Sequence, residues 1–538
     1  MSAHRLRAPS EDGALLAVPP LGEAASVAAA NLERLQLWDY DFQGRRTERL
    51  RGLVRRQVLT GAREYLNRLG LDAPGVDADP SAPLIVTGHQ PELYHPGVWI
   101  KNFAVAAVAR EQGGIGLNFV VDNDLLKSAA IRVPQSQNGG LRVQRVDFDR
   151  WTGETPFEDL DVNDEARFAS FGTRVRGVLA EAVTDPLIET YWPLVLKQRD
   201  RTRRLGLRFA AARRELEASW GVRNAEIPLS AVCETEGFLW FASHLLAQLP
   251  RFQAVHNEAL VRYRARYRIR SRHHPVPALH RQDDWLEAPF WVWRGAEPRR
   301  RPLFVRQLLQ TMQLRAEGED QPFLELPLAP DRDACCAVEQ LRSLPARQIR
   351  LRTRALTTTM FARLLLGDLF VHGIGGAKYD ELGDEIIQGF FGIVPPDYLT
   401  LSLTLWLGLG LDPAGGARLA ALNRGLRDLS YNPDRHLPDP TSSPWQGLVQ
   451  AKQAAIAAAA ESRDERKARF REIRRLNELL QSGVEAERDR LQSEQARMVA
   501  VVGRNLLAGS REYAFVLHSE QRLHEVMMGA TAIAAARE

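Results

Sequence analysis

Apolar residues recur every three or four positions from Arg46 to Leu69, where Leu50, Leu53, Val54, Val58 and Leu59 form one stripe; the spacing predicts an amphipathic helix that packs by that face. From Leu84 the pattern becomes strand, helix, strand: Leu84 to Val86, then Trp99 to Glu111, then Leu117 to Val121. Two strands joined by a helix within about 40 residues predict a βαβ unit and a parallel sheet. Residues from about Pro156 to Ala259 read as mostly helical, broken near Pro186 and at Glu226-Ile227-Pro228. Asp284 to Arg306 reads as a hairpin turning through Gly295 to Arg301, and Arg350 to Phe370 as a helix with Leu and Met on one face. Beyond a linker at Pro433 to Pro444, residues 446 to 506 carry long apolar spacing through Ile473, Leu476, Leu480, Leu491 and Val501, interrupted at Ser482-Gly483. This predicts an antiparallel helical hairpin or coiled coil, used for association or shape.

The fold class expected is α/β, organised as an N-terminal arm with helices (1–80), a first part of a parallel-sheet core (81–155), a mostly helical insertion carrying the hairpin (156–310), a second part of the core (311–433) and C-terminal helices (445–538).

Composition narrows the function classes. A hydrophobic share of 45% and a charged share of 26% are those of a globular chain rather than a disordered one. The net charge of +4 over 538 residues makes no demand for a nucleic-acid partner. The longest apolar stretch, Tyr398 to Leu411, is too short to span a bilayer, and the N-terminus carries no long apolar run of the signal-peptide kind, so a cytoplasmic chain without a membrane segment is expected. Cys233 and the pair Cys335-Cys336 give neither a disulfide framework nor zinc-ligand spacing, and no metal site is predicted from them. Of 71 basic residues only six are lysines, so a lysine inside a motif stands out.

The richest motif is Thr87-Gly88-His89-Gln90-Pro91, followed by His95-Pro96 and Lys101-Asn102. A strand turning through Gly, His and Pro into a helix brings backbone amides, two imidazoles and a lysine to a helix N-terminus, where anions bind. Thr87, Gly88 and Gln90 are therefore candidate ligand-binding residues, and His89, His95 and Lys101 candidates for stabilising anionic charge. An ordinary capped connection is the alternative. Asp122 and Asp124 end the next strand on the same sheet edge, flanking Asn123, and could orient an amine or hold Mg²⁺, or merely cap a turn. A second Gly-rich turn, His372 to Lys378, leads into a helix from Asp380 to Phe391. Its candidates are His372, Gly375, Gly376, Lys378, Tyr379 and Asp380, with a glycine C-cap as the alternative; it lacks the second Gly-Lys-Ser/Thr of a P-loop. The run Arg262 to Arg272, interleaved with Tyr263 and Tyr267, suits RNA or a phosphorylated ligand, yet its stripe fits a solvated amphipathic helix better.

In this order the motifs resemble the bacillithiol-biosynthesis cysteine-adding enzyme family: Thr87-Gly88-His89-Gln90-Pro91 before a helix, the acidic strand end Asp122-Asn123-Asp124, the hairpin Phe290 to Arg306, the Gly-rich turn Gly373 to Ala377 and the helices of 446 to 506. The resemblance implies a Rossmann-like core of the nucleotidylyl-transferase type, a dimerising coiled coil, and addition of cysteine to a glucosaminyl-malate. His89 replaces a Gln of the family's motif, the acidic cluster is reduced, and His372 and Lys378 are additions, so the implied substrate can differ. The His-Gln-Pro start is also similar to WbqC-like proteins of surface-sugar gene clusters.

The function expected is that of a ligase or transferase coupling an amine, such as cysteine or another amino acid, to a small acceptor, with ATP, ADP or another phosphorylated ligand at the sheet edge. The expected partners are a small-molecule substrate and a second copy of the chain. A non-catalytic scaffold and an RNA-binding protein are the alternatives, discriminated by ligand-induced stabilisation and by salt-dependent RNA affinity.

Overall fold

The computed structural model describes residues 6–72, 81–137, 140–270 and 276–532. It is mixed α/β, 53% helical. A six-stranded sheet runs Leu15–Val18, Tyr398–Leu403, Leu369–His372, Leu84–His89, Ile115–Val120, Ala225–Pro228; the first pair is antiparallel and all the others are parallel. Alternate residues of its strands serve two faces. Leu84, Val86, Leu117, Phe119, Ala225 and Ile227 share one apolar cluster with Leu50, Val54 and Val58 of the helix Thr47–Arg68. The opposite face is covered by the helix Pro96–Glu111, packed on four of the strands. Asp368 ties the starts of the two central strands: its carboxylate accepts the Leu84 N–H at 2.7 Å and pairs with the buried Arg51 and Arg55.

A second sheet is antiparallel, in the order Leu324–Leu326, Met312–Ala316, Glu297–Gln307, Trp285–Arg294, Ile349–Thr353, and contains the expected hairpin.

Several expectations change. The strand read as ending at Val86 continues through Thr87 and Gly88 to His89, so those residues belong to the sheet rather than to a turn. Glu226-Ile227-Pro228, read as a helix break, lies in the core strand Ala225–Pro228, so the region 156–310 is not a plain insertion. Arg350 to Phe370 is not one helix but the strand Ile349–Thr353, a helix Ala355–Phe361 running into a π-turn, and the beginning of the strand Leu369–His372. Leu15–Val18 of the supposed irregular arm is a sheet strand. A hairpin of Ala130–Gln137 and Gly140–Asp147 had no counterpart in the expectations.

The chain divides into two compact units. The first contains both large sheets; the second comprises Gly408–Ser510 and Pro134–Val143. In the second, Gly415–Tyr431 packs on Glu485–Ala508 and Trp445–Ala457 on Arg463–Leu480. The interruption at Ser482-Gly483 is present, but the two segments it separates each take a different partner helix instead of pairing with one another. Leu429, Leu437, Leu480 and Val484 form its small core. Residues from Arg511 onward, grouped by the sequence with the C-terminal helices, belong to the first unit, where Phe515, Val516 and Leu517 are buried.

Candidate functional site

The strands Leu84–His89 and Leu369–His372 lie side by side, and the chain leaves them toward opposite edges of the sheet. In open α/β sheets the crevice beyond such a reversal, at the carboxyl ends, is where ligands bind. His89 ends the first of these strands. Its Nδ1 lies 3.0 Å from the Gln90 carbonyl, while Nε2 is buried without a partner, as is the hydroxyl of Tyr94, whose ring meets it edge-on at 4.3 Å. Burial, aided by Lys101 and Arg213, holds the imidazole well below its usual pKa, so His89 is neutral; the bond to the carbonyl makes Nδ1 the protonated nitrogen and Nε2 an open acceptor. Lys101, only 5% exposed, donates to the Gly88 carbonyl at 3.0 Å, and burial lowers its ammonium to about 7. Thr87 donates to the Val371 carbonyl at 2.8 Å, tying the two strand ends together.

His95 caps the helix that follows: Nδ1 accepts from Gly97 N at 3.1 Å, and burial, with Arg511 and Lys101, lowers the ring to about 4. Gly97 is required because a Cβ there would stand 2.2 Å from the Leu403 carbonyl oxygen. This helix start is thus closed by its own histidine and a neighbouring strand.

Gln90, Asn123, Asp124 and Tyr379 converge on a cavity of about 290 Å³ between the two sheets, on the size scale of a small-molecule pocket. Gln90 donates to Asp124 at 2.7 Å, and Arg300 of the hairpin pairs with the same carboxylate at 2.9 Å. Much of the remaining wall is apolar or aromatic, with Trp291 beneath the guanidiniums of Arg300 and Arg354, 5.3 and 4.2 Å from its ring centroid. Asn123 Oδ1 and Arg354 Nε are buried without protein partners. Unpaired polar atoms on an apolar cavity are the signature of a group that meets ligand or water.

His372 ends the neighbouring strand, and its Nε2 lies 2.7 Å from Asp380, which Arg363 also binds at 2.9 Å. Burial lowers His372 despite Asp380, so it is neutral and donates; burial acts to raise Asp380, but Arg363 and His372 outweigh it and keep the carboxylate ionised. Gly373 to Lys378 form no free turn: the helix spans Ile374–Ile386, with Gly375 and Gly376 exposed in its first turn and no side chain capping it. The Lys378 carbonyl accepts from Tyr263. Arg262 and Arg266 both pair with Glu385 of that helix, so this part of the arginine run serves packing; Arg272 lies outside the described residues.

Asp122 and Asp124 do not converge. Asp122 takes both the N–H and the hydroxyl of Ser230 and lines a different cavity. Among the described residues, no three His, Cys, Asp or Glu side chains gather as metal ligands. No helix among them is long and apolar enough to cross a membrane. Trp291, Arg300 and Arg354 escaped the sequence reading; the alternation Ile349-Arg350-Leu351-Arg352-Thr353-Arg354 was the available signal, a strand pattern hidden by the leucines that follow.

Fold and cavity together define an α/β protein with a ligand-sized pocket at the carboxyl edge of a mostly parallel sheet. No protein-family model matches the chain, and no curated protein matches it either.

Proposed function

We propose that the protein is an enzyme that couples an amine to a small carbonyl or carboxyl acceptor in the cavity lined by Gln90, Asp124 and Trp291. The observation that carries this reading is the meeting of Gln90, Asn123, Asp124 and Tyr379, from three separate chain segments, around one cavity that also holds two arginines. Asp124 suits a substrate ammonium, since it is the cavity's carboxylate; Arg300 and Arg354 suit an anionic acceptor or phosphate, and Trp291 a flat ring. Coupling requires the amine nitrogen to lose a proton as it attacks the acceptor carbon. Lys101, lowered to about 7, is a group able to take up a proton near neutral pH, and His89, directly before Gln90 on the strand end, is a neutral hydrogen-bond acceptor beside it.

The core belongs in this reading to the Rossmann-like type. Numbered by chain order, the five parallel strands run 3-2-1-4-5, which supports it. A nucleotide would place its phosphates toward Arg300 and Arg354. Mg²⁺ held jointly by Asp122 and Asp124 does not fit, because the two carboxylates line different cavities. The similarity to the cysteine-adding family makes cysteine the first amine to try, and the exposed apolar residues of the helical unit support a homodimer.

Thermal unfolding with ATP, ADP, cysteine and amino sugars tests the reading, since a ligand at 100 times its Kd adds about 2.7 kcal/mol to stability. The expected result is stabilisation by at least one amine, lost in Asp124→Asn while phosphorylated ligands still bind. Stabilisation by none of these ligands, or an amine effect indifferent to Asp124→Asn, would overturn it.

A further inference from the structure

A second cavity, of about 390 Å³, lies on the other side of Asp122 and shares no lining residue with the first. Its wall is dominated by arginine. Arg352 is already neutralised, bound by Glu158 through two nitrogens and by Glu234 at 2.9 Å, and Arg204 pairs with Asp161 at 3.2 Å. Two arginines are left over: among the described residues no carboxylate pairs with Arg68 or Arg201. Arg350 is paired only loosely, its guanidinium 3.8 and 3.7 Å from Glu158 and Asp159, beyond hydrogen-bond distance.

Two buried atoms on this wall make no hydrogen bond within the protein: the hydroxyl of Tyr65, a residue 3% exposed, and Arg350 Nε, whose ion pair with Glu158 is a long one. A phenol enclosed by the core ordinarily finds an acceptor, because an unmade hydrogen bond costs about 1–3 kcal/mol. Asp122, at the same wall, is pushed up to about 7 by burial and by Glu158, so it carries a proton part of the time near neutral pH. A donor-rich wall with unspent arginines wants an acceptor-rich occupant.

We propose that this cavity is a binding site for a compact polyanion, such as a tricarboxylate or a phosphate monoester, held by Arg68, Arg201 and Arg350 with Tyr65 donating to one of its oxygens. The guanidiniums match carboxylate and phosphate oxygens in pairs, and Tyr65 supplies a neutral donor from the buried end. This site stands apart from the proposed amine-coupling cavity and holds whether or not that reading does.

Isothermal titration of the full chain with citrate and, separately, with glycerol 3-phosphate tests it and identifies the preferred anion. Tyr65→Phe removes a buried hydroxyl that bonds nothing in the protein, so the variant folds at least as well as the parent; it should nevertheless weaken the preferred anion about tenfold, the value of one hydrogen bond. Arg350→Gln should weaken it further, whereas Asp124→Asn, in the other cavity, should leave it unchanged. Two results overturn the site: no binding of either anion at low ionic strength, or binding that Tyr65→Phe and Arg350→Gln leave intact, as loose attraction to surface arginines would.

Discussion

Lys101 Nζ donates to the Gly88 carbonyl oxygen at 3.0 Å, so a lysine from the second turn of one helix is spent on the strand that precedes that helix. The contact gives the ammonium one acceptor where water would give three, and this shortfall lies behind its lowered affinity for a proton.

The pH dependence of stability should reveal it. Lys101 binds a proton less tightly folded than unfolded, so between about pH 7 and its ordinary value of 10.5 the unfolded chain holds the extra proton and stability from this group rises with pH. The gain fades as pH falls through 7. At about 1.4 kcal/mol for each unit, its ceiling is about 5 kcal/mol. Lys101→Met should unfold in urea with a smaller rise between pH 7 and 10 than the parent; parallel curves for the two proteins would refute the assignment.

Phe515 should be among the costliest truncations in the chain. It is 1% exposed, its ring lies 4.6 Å from Trp99 and 5.1 Å from Tyr191, and its N–H donates to the Tyr94 carbonyl at 2.7 Å. Phe515→Ala should cost about 3–5 kcal/mol, read from urea unfolding. A chain ending at Ser443 loses this anchor along with the helices and should not keep its α/β fold. A cost below about 1 kcal/mol would mean the segment packs only loosely.

The helical unit should mediate self-association through its exposed apolar residues. Val499 is 53% and Leu506 74% exposed on Glu485–Ala508, and Phe470 is 64% exposed on Arg463–Leu480. Apolar surface of this kind, gathered on long helices, marks an interaction face. Light scattering at micromolar concentration should give a dimer, and the pair Val499→Glu with Leu506→Glu a monomer with unchanged circular dichroism. A monomeric parent chain would refute the proposal.

The strand and helix around His89 were legible because Gly88, Pro91 and Pro96 punctuate them and because apolar runs flank them. Ala225–Pro228 was not, since four buried residues with a glutamate among them carry no periodicity. That glutamate is paired inside the protein with Arg213 and Asn118, which only the folded chain brings together. The strand Leu369–His372 was swallowed by the leucines before it; Gly367-Asp368 marked the break, but Asp368 reads as structural only once Arg51 and Arg55 are seen on it. Gln90, Asn123 and Asp124 were picked out by residue type beyond a strand's carboxyl end and Tyr379 by its place beside a Gly-rich turn, whereas Trp291, Arg354 and Tyr65 owe their place to long-range convergence.

Asp122, Asn123 and Asp124 are consecutive, yet the first faces one cavity and the other two face the second. The strand Ile349–Thr353 repeats the arrangement, with Arg350 and Arg352 on one side and Thr353 with Arg354 on the other. Short stretches of backbone thus contribute side chains to both cavities. Any influence of an anion beside Asp122 on a ligand beside Asp124 must therefore be matched by an equal influence in return, because the free energy of the doubly occupied state is independent of the order of filling.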